Sequence, residues 1–305
     1  MGSIKTRTIA TVLFAFFLLA IALPKYSAVK NEKKYNDLLK SYEKDPDYGN
    51  KTEVLRKNVK DSNSKEAAAV FEKSNAALGI TAQNLVVKNG GPLKSIPILI
   101  YHCIDASIWG DRPMFVTPDN FERQMQYLKE KEYTAITFHD LDRVDSIKNP
   151  VLITFDDGYE NNYTDAYPIL KRYGFKATIF LIVNAIDKPR FLQQSQIKEM
   201  AGLVDFESHT LTHPHLAGLA PDKLEMELSG SKKALESLLS KKVDVIAYPY
   251  GSFDKNVIQA ARKYYTFGVT TNYGKFIATS NNEYNVRRMY VVNGMNLDKF
   301  IHLFH

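Results

Sequence analysis

Thr154-Phe155-Asp156-Asp157-Gly158 sets two carboxylates side by side where an apolar run ends. Adjacent carboxylates repel, and one of them must shed part of its hydration, so the pair is costly unless a cation lies nearby. A plain Asp-Gly turn is the competing reading. Further on stands Ser208-His209-Thr210-Leu211-Thr212-His213-Pro214. Histidines four apart can share one side of a helical turn and point imidazole nitrogens at one ion. Alone, such a pair is often a surface feature. With Asp157 it becomes a set of two histidines and one carboxylate with positions left for water and substrate. The chain has only 7 histidines, which argues against an accidental cluster. His215 breaks the spacing and reads as a bystander. In Ala247-Tyr248-Pro249-Tyr250-Gly251, the proline and glycine can aim the Tyr250 backbone N–H into a pocket; taken alone, the segment reads as an ordinary strand-to-helix loop. Tyr101-His102 closes another apolar run.

These four segments need a scaffold that brings them together. Short apolar runs alternate with helix-like runs from residue 96 onward. Strands are expected at Ile96–Tyr101, Ala135–Phe138, Val151–Phe155, Ala177–Val183, Leu203–Phe206, Val243–Ala247 and Thr266–Thr270, with an extended segment at Val286–Val292. Helices are expected from Pro118 to about Lys131 behind a Thr117 cap, then at Asp165–Tyr173, Gln194–Ala201, Pro221–Ser240 and Lys255–Tyr264, and from Leu297. Such alternation implies a parallel sheet. Seven or eight units point to an α/β barrel, with an open doubly wound sheet as the alternative. All four segments fall at C-terminal strand ends, the face on which barrels build active sites.

The composition is that of a globular protein, with 45% hydrophobic and 24% charged residues among 305. The net charge is 40 − 34 = +6, with no nucleic-acid motif and no interleaved basic and aromatic run. The one cysteine, Cys103, excludes an internal disulfide and a thiolate zinc site. Residues 1–28 have the layout of an export signal, with Lys5 and Arg7 ahead of the apolar run Ile9–Leu23. Cleavage after Ala28 would put Tyr26 where a small residue is preferred, so an uncleaved membrane anchor stands beside a removed peptide. Residues 29–92 are polar, with a helical patch at Ser64–Leu78, and read as a stalk ending in the breaker Asn89-Gly90-Gly91-Pro92. The remaining domain is 93–305.

The three motifs TFDDG, SHTLTHP and PYG, in that order, resemble carbohydrate esterase family 4, the NodB-like polysaccharide deacetylases, over about residues 95–300. The resemblance implies a distorted (β/α) barrel with parallel strands. It implies Asp156 as catalytic base, and Asp157, His209 and His213 as ligands of a divalent metal, whose identity (Zn, Co, Ni or Fe) such donors leave open. The substrate implied is a polysaccharide containing N-acetylglucosamine. Two departures matter. Many members carry an arginine where this chain has Ala247, and many take their general acid from a late Leu-x-His, matched here only by Leu303-Phe304-His305. Tyr101-His102 and the Ala-Tyr-Pro-Tyr-Gly form are instead similar to the branch acting on poly-N-acetylglucosamine of biofilm matrix. That likeness implies His102 as the acid and Arg288 as the missing arginine. It gives the Tyr250 N–H an oxyanion to stabilise. Peptidoglycan, chitin-like oligomers and O-acetylated xylan are the other substrates the family offers. A catalytically silent carbohydrate-binding protein is the rival that Ala247 keeps open. A paired-carboxylate glycosidase is disfavoured, because adjacent aspartates do not span the roughly 5–9 Å such enzymes need. Trp109 reads either as a stacking platform for sugar or as packing.

Overall fold

The computed structural model describes residues 94–277 and 282–304. The export segment 1–28, the stalk 29–92 and His305 lie outside the described residues. In chain order the strands are β1 (Ser95–Ile96), β2 (Ile98–Tyr101), β3 (Cys103–Ile104), β4 (Phe115–Val116), β5 (Thr134–Ile136), β6 (Pro150–Phe155), β7 (Ala177–Leu181), β8 (Val204–Ser208), β9 (Val245–Ala247), β10 (Phe267–Tyr273), β11 (Phe276–Ile277) and β12 (Val286–Tyr290). The α-helices are α1 (Pro118–Glu130), α2 (Tyr167–Tyr173), α3 (Gln194–Met200), α4 (Pro221–Leu239), α5 (Lys255–Ala261) and α6 (Leu297–Ile301).

The sequence of β6, Pro-Val-Leu-Ile-Thr-Phe, is apolar almost throughout, and every residue of it is buried. That is the pattern of a parallel strand covered on both faces. One edge of β6 pairs with β2, from Ile98↔Leu152 to Tyr101↔Phe155. Its other edge is shared: β5 takes Pro150 to Leu152, and β7 takes Thr154 and Phe155. The sheet then runs β7-β8-β9-β10-β12 and returns to β2, closing a barrel of 7 parallel strands with β5 as a side branch. Closure rules out the open doubly wound sheet. The ring is uneven: β8 and β9 meet only at Ser208↔Ile246, and β10 slips register against β12 between Val269 and Tyr273.

Neighbouring strand residues alternate between two cores. Leu99, Ile153, Phe155 and Phe206 join helix residues such as Phe121, Leu170 and Leu228 in the outer layer. Ile98, Leu152, Phe180, Val245 and Val269 fill the barrel itself. Phe138, Leu141 and Val144 enter this inner core from a 3₁₀ segment, Phe138–Ser146. The expected strand Ala135–Phe138 therefore stops at Ile136. The reason is local: Asp140 accepts from the Thr137 N–H at 3.1 Å and starts the helical turn. The helix expected at Asp165 is likewise preceded by a π-turn, Asn162–Ala166, before α2 begins. Thr117 caps α1 as expected, accepting from the Asn120 N–H.

Candidate active site

The C-terminal ends of β2, β6, β8, β9 and β12 converge. At the end of β6 the Asp156 N–H stays on the ladder, donating to the Tyr101 carbonyl at 3.0 Å. The chain then reverses through Asp157 (φ 73°) and Gly158 (φ 76°). Gly158 is required there, because a Cβ would lie 2.6 Å from the Leu181 side chain. The reversal sends the two adjacent carboxylates apart, which removes the repulsion expected of them.

Asp156 turns to Arg288 on β12. The guanidinium binds both carboxylate oxygens at 2.7 Å, in the parallel fork geometry. It also donates to Thr154 Oγ1 at 3.1 Å and, through Nε, to the Thr270 carbonyl at 3.1 Å. Arg288 is fully buried. Burial resists ionisation of Asp156 more than any other single influence, but the charge and hydrogen bonds of Arg288, with His209 and His102, together hold the carboxyl below the usual carboxylate range. Sequence reasoning names Arg288 by resemblance alone; the fold carries it in from the strand beside β2.

Asp157 turns to the histidines. Its Oδ1 lies 3.4 Å from His209 Nε2 and 3.3 Å from His213 Nε2, and the two nitrogens are 3.2 Å apart. His209 Nδ1 donates to the Ala247 carbonyl at 2.8 Å, leaving Nε2 with its lone pair toward the other two. Burial opposes the Asp157 charge, yet the His209 contact and charge keep the carboxyl well below its ordinary range. Ligands held tetrahedrally at about 2.0–2.1 Å from zinc stand roughly 3.3 Å from one another. The triangle of Asp157, His209 and His213 therefore has the size a divalent cation requires, and the donor set fits one.

The two histidines do not share a helical turn, contrary to the expectation from their spacing. They sit on an irregular loop in which Thr210 (φ 70°) and His213 (φ 62°) are left-handed. Polar contacts from within the loop and from α4 hold that shape. Thr210 Oγ1 accepts from the His213 N–H at 3.0 Å, and Ser208 Oγ accepts from the Thr210 N–H at 3.2 Å. Buried Glu227 on α4 accepts from the N–H groups of Leu211 (2.9 Å) and Thr212 (3.0 Å) and from the Thr212 hydroxyl (2.5 Å). Gly230, one turn along, leaves room for the Leu211 side chain, which a Cβ would meet at 2.6 Å. Sequence reasoning missed Glu227. The signal was present: it is an acid on the face of α4 that buries Leu224 and Leu228. Glu227→Ala should leave the Leu211 and Thr212 N–H groups without their acceptor and weaken metal binding about 10–100-fold, the range seen when a ligand's supporting partner is lost. Chelator-competition titration checks this, and unchanged affinity would remove Glu227 from the site.

Tyr250 is also left-handed (φ 58°), as is Gly251 (φ 65°), where a Cβ would come within 1.8 Å of Thr271 Oγ1. The Tyr250 ring projects into solvent, packed between His213 (centroids 4.5 Å apart) and His215 (4.1 Å, nearly parallel). His215 is thus outside the triad but supports the ring beside it. His102, just past β2, is fixed through its carbonyl by Asn162 of the π-turn at 2.7 Å. Burial lowers its imidazole pKa; Asp156 and Asp157 pull it back up, while Arg288 and His209 add to the lowering. Trp109 donates to Asp105 at 2.9 Å, and Arg190 covers its ring at 4.6 Å. Packing thus claims one face of the ring named as a sugar platform. Phe304, the residue before His305, packs against Tyr127 and Tyr133, aromatics of the outer layer.

A parallel barrel with this constellation at its strand ends is the framework of a hydrolase, and the comparisons with known proteins agree. A family model described as polysaccharide deacetylase matches residues 143–267. The Bacillus subtilis protein YxkH, named as a polysaccharide deacetylase, is 38% identical over 223 residues, spanning 70% of this chain and 77% of its own. The poly-β-1,6-N-acetyl-D-glucosamine N-deacetylase of Staphylococcus aureus is 30% identical over 210 residues, 62% of this chain and 70% of its own. The structure of the Streptococcus pyogenes deacetylase PplD in complex with acetate superimposes with a TM-score of 0.66 at 31% identity, covering 70% of this chain and 100% of that one. This chain belongs to the polysaccharide deacetylase family and is a hydrolase of the N-deacetylase kind.

Proposed function

We propose that the chain removes N-acetyl groups from N-acetylglucosamine units of an extracellular or cell-wall polysaccharide, poly-N-acetylglucosamine first and peptidoglycan second. The observation that carries this reading is the pairing of the Asp157–His209–His213 triangle with an arginine-held Asp156 on one barrel face. The staphylococcal relative, named for poly-N-acetylglucosamine, and the acetate held by the streptococcal one support it. A divalent cation on Asp157, His209 and His213 would polarise the acetyl carbonyl and acidify water. Asp156, kept ionised and oriented by Arg288, takes the proton from the attacking water. The Tyr250 N–H donates to the oxygen on which negative charge develops. His102 gives a proton to the sugar nitrogen as the C–N bond breaks, leaving acetate and a free amine. The bond from Arg288 to Asp156 favours catalysis over silent binding, since it answers the departure at Ala247.

Acetate release should be highest on poly-N-acetylglucosamine, fall to background with chelator and return with added metal. Release from acetylated xylan and from no N-acetylglucosamine polymer would refute the substrate class. His102→Ala should lose about 10²–10⁴-fold in turnover at unchanged metal content. A chain lacking His305, assayed beside it, should remain active; the opposite outcome would exchange the two roles. The reading extends to location: the run Ile9–Leu23 exports the chain and retains it at the membrane. Cell fractionation tests this, and a cytoplasmic protein would refute it.

A further inference from the structure

A second convergence of metal-type donors lies lower in the barrel wall. Asp205 and Glu207 alternate along β8 with Val204 and Phe206, which belong to the outer core. Their carboxylates therefore face the inner side, where Phe180 is the register partner of Glu207. Glu207 is fully buried and Asp205 nearly so. One oxygen of each is already engaged: Lys241 contacts Asp205 Oδ1, and the Val245 N–H donates to Glu207 Oε2 at 2.8 Å. The other two, Asp205 Oδ2 and Glu207 Oε1, are buried and have no hydrogen-bond partner. Both lie 3.2 Å from Nε2 of His139, which the Phe138–Ser146 segment brings across from β5.

A ring N–H that serves one acceptor points at it. Here the nitrogen lies 3.2 Å from each of two oxygens and is not committed to either one. Ligands about 2.0–2.2 Å from a common ion stand roughly 3.2 Å apart, with each ligand aimed at the ion and not at its neighbour. The two distances from His139 match those within the Asp157 triangle, and the three donor atoms lie within 4.8 Å of one another. Charge asks for one more positive group: Lys241 balances one of the two carboxylates, and a cation or a proton on His139 can balance the other.

We propose that His139, Asp205 and Glu207 form a second divalent-cation site. One imidazole and two carboxylates suit the zinc, manganese and iron(II) class. His139 is half-exposed, so the ion has an entry path from solvent. The bound ion ties the Phe138–Ser146 segment to β8, the strand that runs directly into the histidine loop. Its role is structural, and it stands whether or not the catalytic reading does. The rival occupant is a proton, since an imidazolium would also neutralise the pair.

The test uses the untagged full chain carrying Asp157→Asn and His213→Ala, which silence the triangle at the strand ends. After chelation and dialysis it is titrated by calorimetry with Zn²⁺ alone and, separately, with Mn²⁺ alone. One equivalent should bind to at least one of these ions, and adding His139→Ala or Glu207→Gln should abolish it. If the double variant does not fold, the unaltered chain should bind two equivalents and the His139→Ala chain one. No binding by a folded double variant, or an equivalent that survives His139→Ala, would overturn the site. Absent binding would leave the carboxylates to a protonated His139.

Discussion

Alanine in place of His209 should leave a chain that retains no metal at the strand ends and releases no acetate. The imidazole is fully buried, its Nδ1 committed to the Ala247 carbonyl and its Nε2 one corner of the triangle with Asp157 and His213. His213 already occupies its own corner, and His215 is stacked on Tyr250. Two donors on a half-open loop do not make a closed site. Metal content, measured on the purified variant by elemental analysis, reads this directly and independently of turnover. Asp156→Asn is the contrasting arm. It should keep the metal and lose about 10²–10⁴-fold in rate, since it removes a proton acceptor and not a ligand. Full occupancy in His209→Ala would sink the ligand set, and loss of metal in Asp156→Asn would mean that the two aspartates have been assigned the wrong way round.

The second large effect is on stability. Arg288→Met should destabilise the fold by about 3–5 kcal/mol, because it strands a buried carboxylate that two guanidinium nitrogens now hold. The sign with pH follows from the directions involved. In the unaltered chain the Asp156 carboxyl sits below its ordinary range, so the pair's contribution is present above the unfolded carboxylate value and fades as pH falls through the folded one. Without Arg288, burial, the largest influence on Asp156, is opposed only by His209 and His102 and favours the protonated form. The deficit of Arg288→Met relative to the unaltered chain should therefore be greatest near neutrality and shrink in acid. Urea unfolding of both chains near neutrality and in acid measures it. Arg288→Lys should restore only part of the loss, since an ammonium is a point charge and cannot fork onto both oxygens while also reaching Thr154 and Thr270. A deficit independent of pH would indicate lost packing and no special role for the pair.

Much of this arrangement was legible in the residues. The apolar run Val151–Phe155, the helix stripe Leu224–Leu228–Leu235 and the Thr117-Pro118 cap each translate directly into an element, because burial and capping are local facts. The carboxylate pair and the histidine pair were visible as types and spacings. Their geometry was not. The sequence suggested a helical turn for His209 and His213, whereas four residues of left-handed or loop backbone bring the nitrogens together, held by a helix that follows later in the chain. Partners contributed by distant strands leave no local trace: Ala247 donates only a carbonyl, and nothing about Arg287-Arg288-Met289 says which arginine faces the barrel. The early end of β5 is similar, since its cause is a side-chain cap from Asp140 competing with a ladder that β7 takes over further along β6.

Four residues at the strand ends, Asp157, Thr210, His213 and Tyr250, hold backbone angles that side chains other than glycine rarely adopt. Each such residue costs about 1–3 kcal/mol, and the β-branched Thr210 sits at the upper end of that range. A lineage selected only for folding would be expected to drift toward glycine or asparagine at these positions and to gain robustness as it lost the site. The enzyme therefore carries a standing trade-off between durability and activity, concentrated in a handful of backbone torsions. An engineer seeking a heat-resistant variant should look for gains elsewhere, on the helical outer layer, and treat any stabilising substitution at Thr210 or Tyr250 as a sign that function has been surrendered.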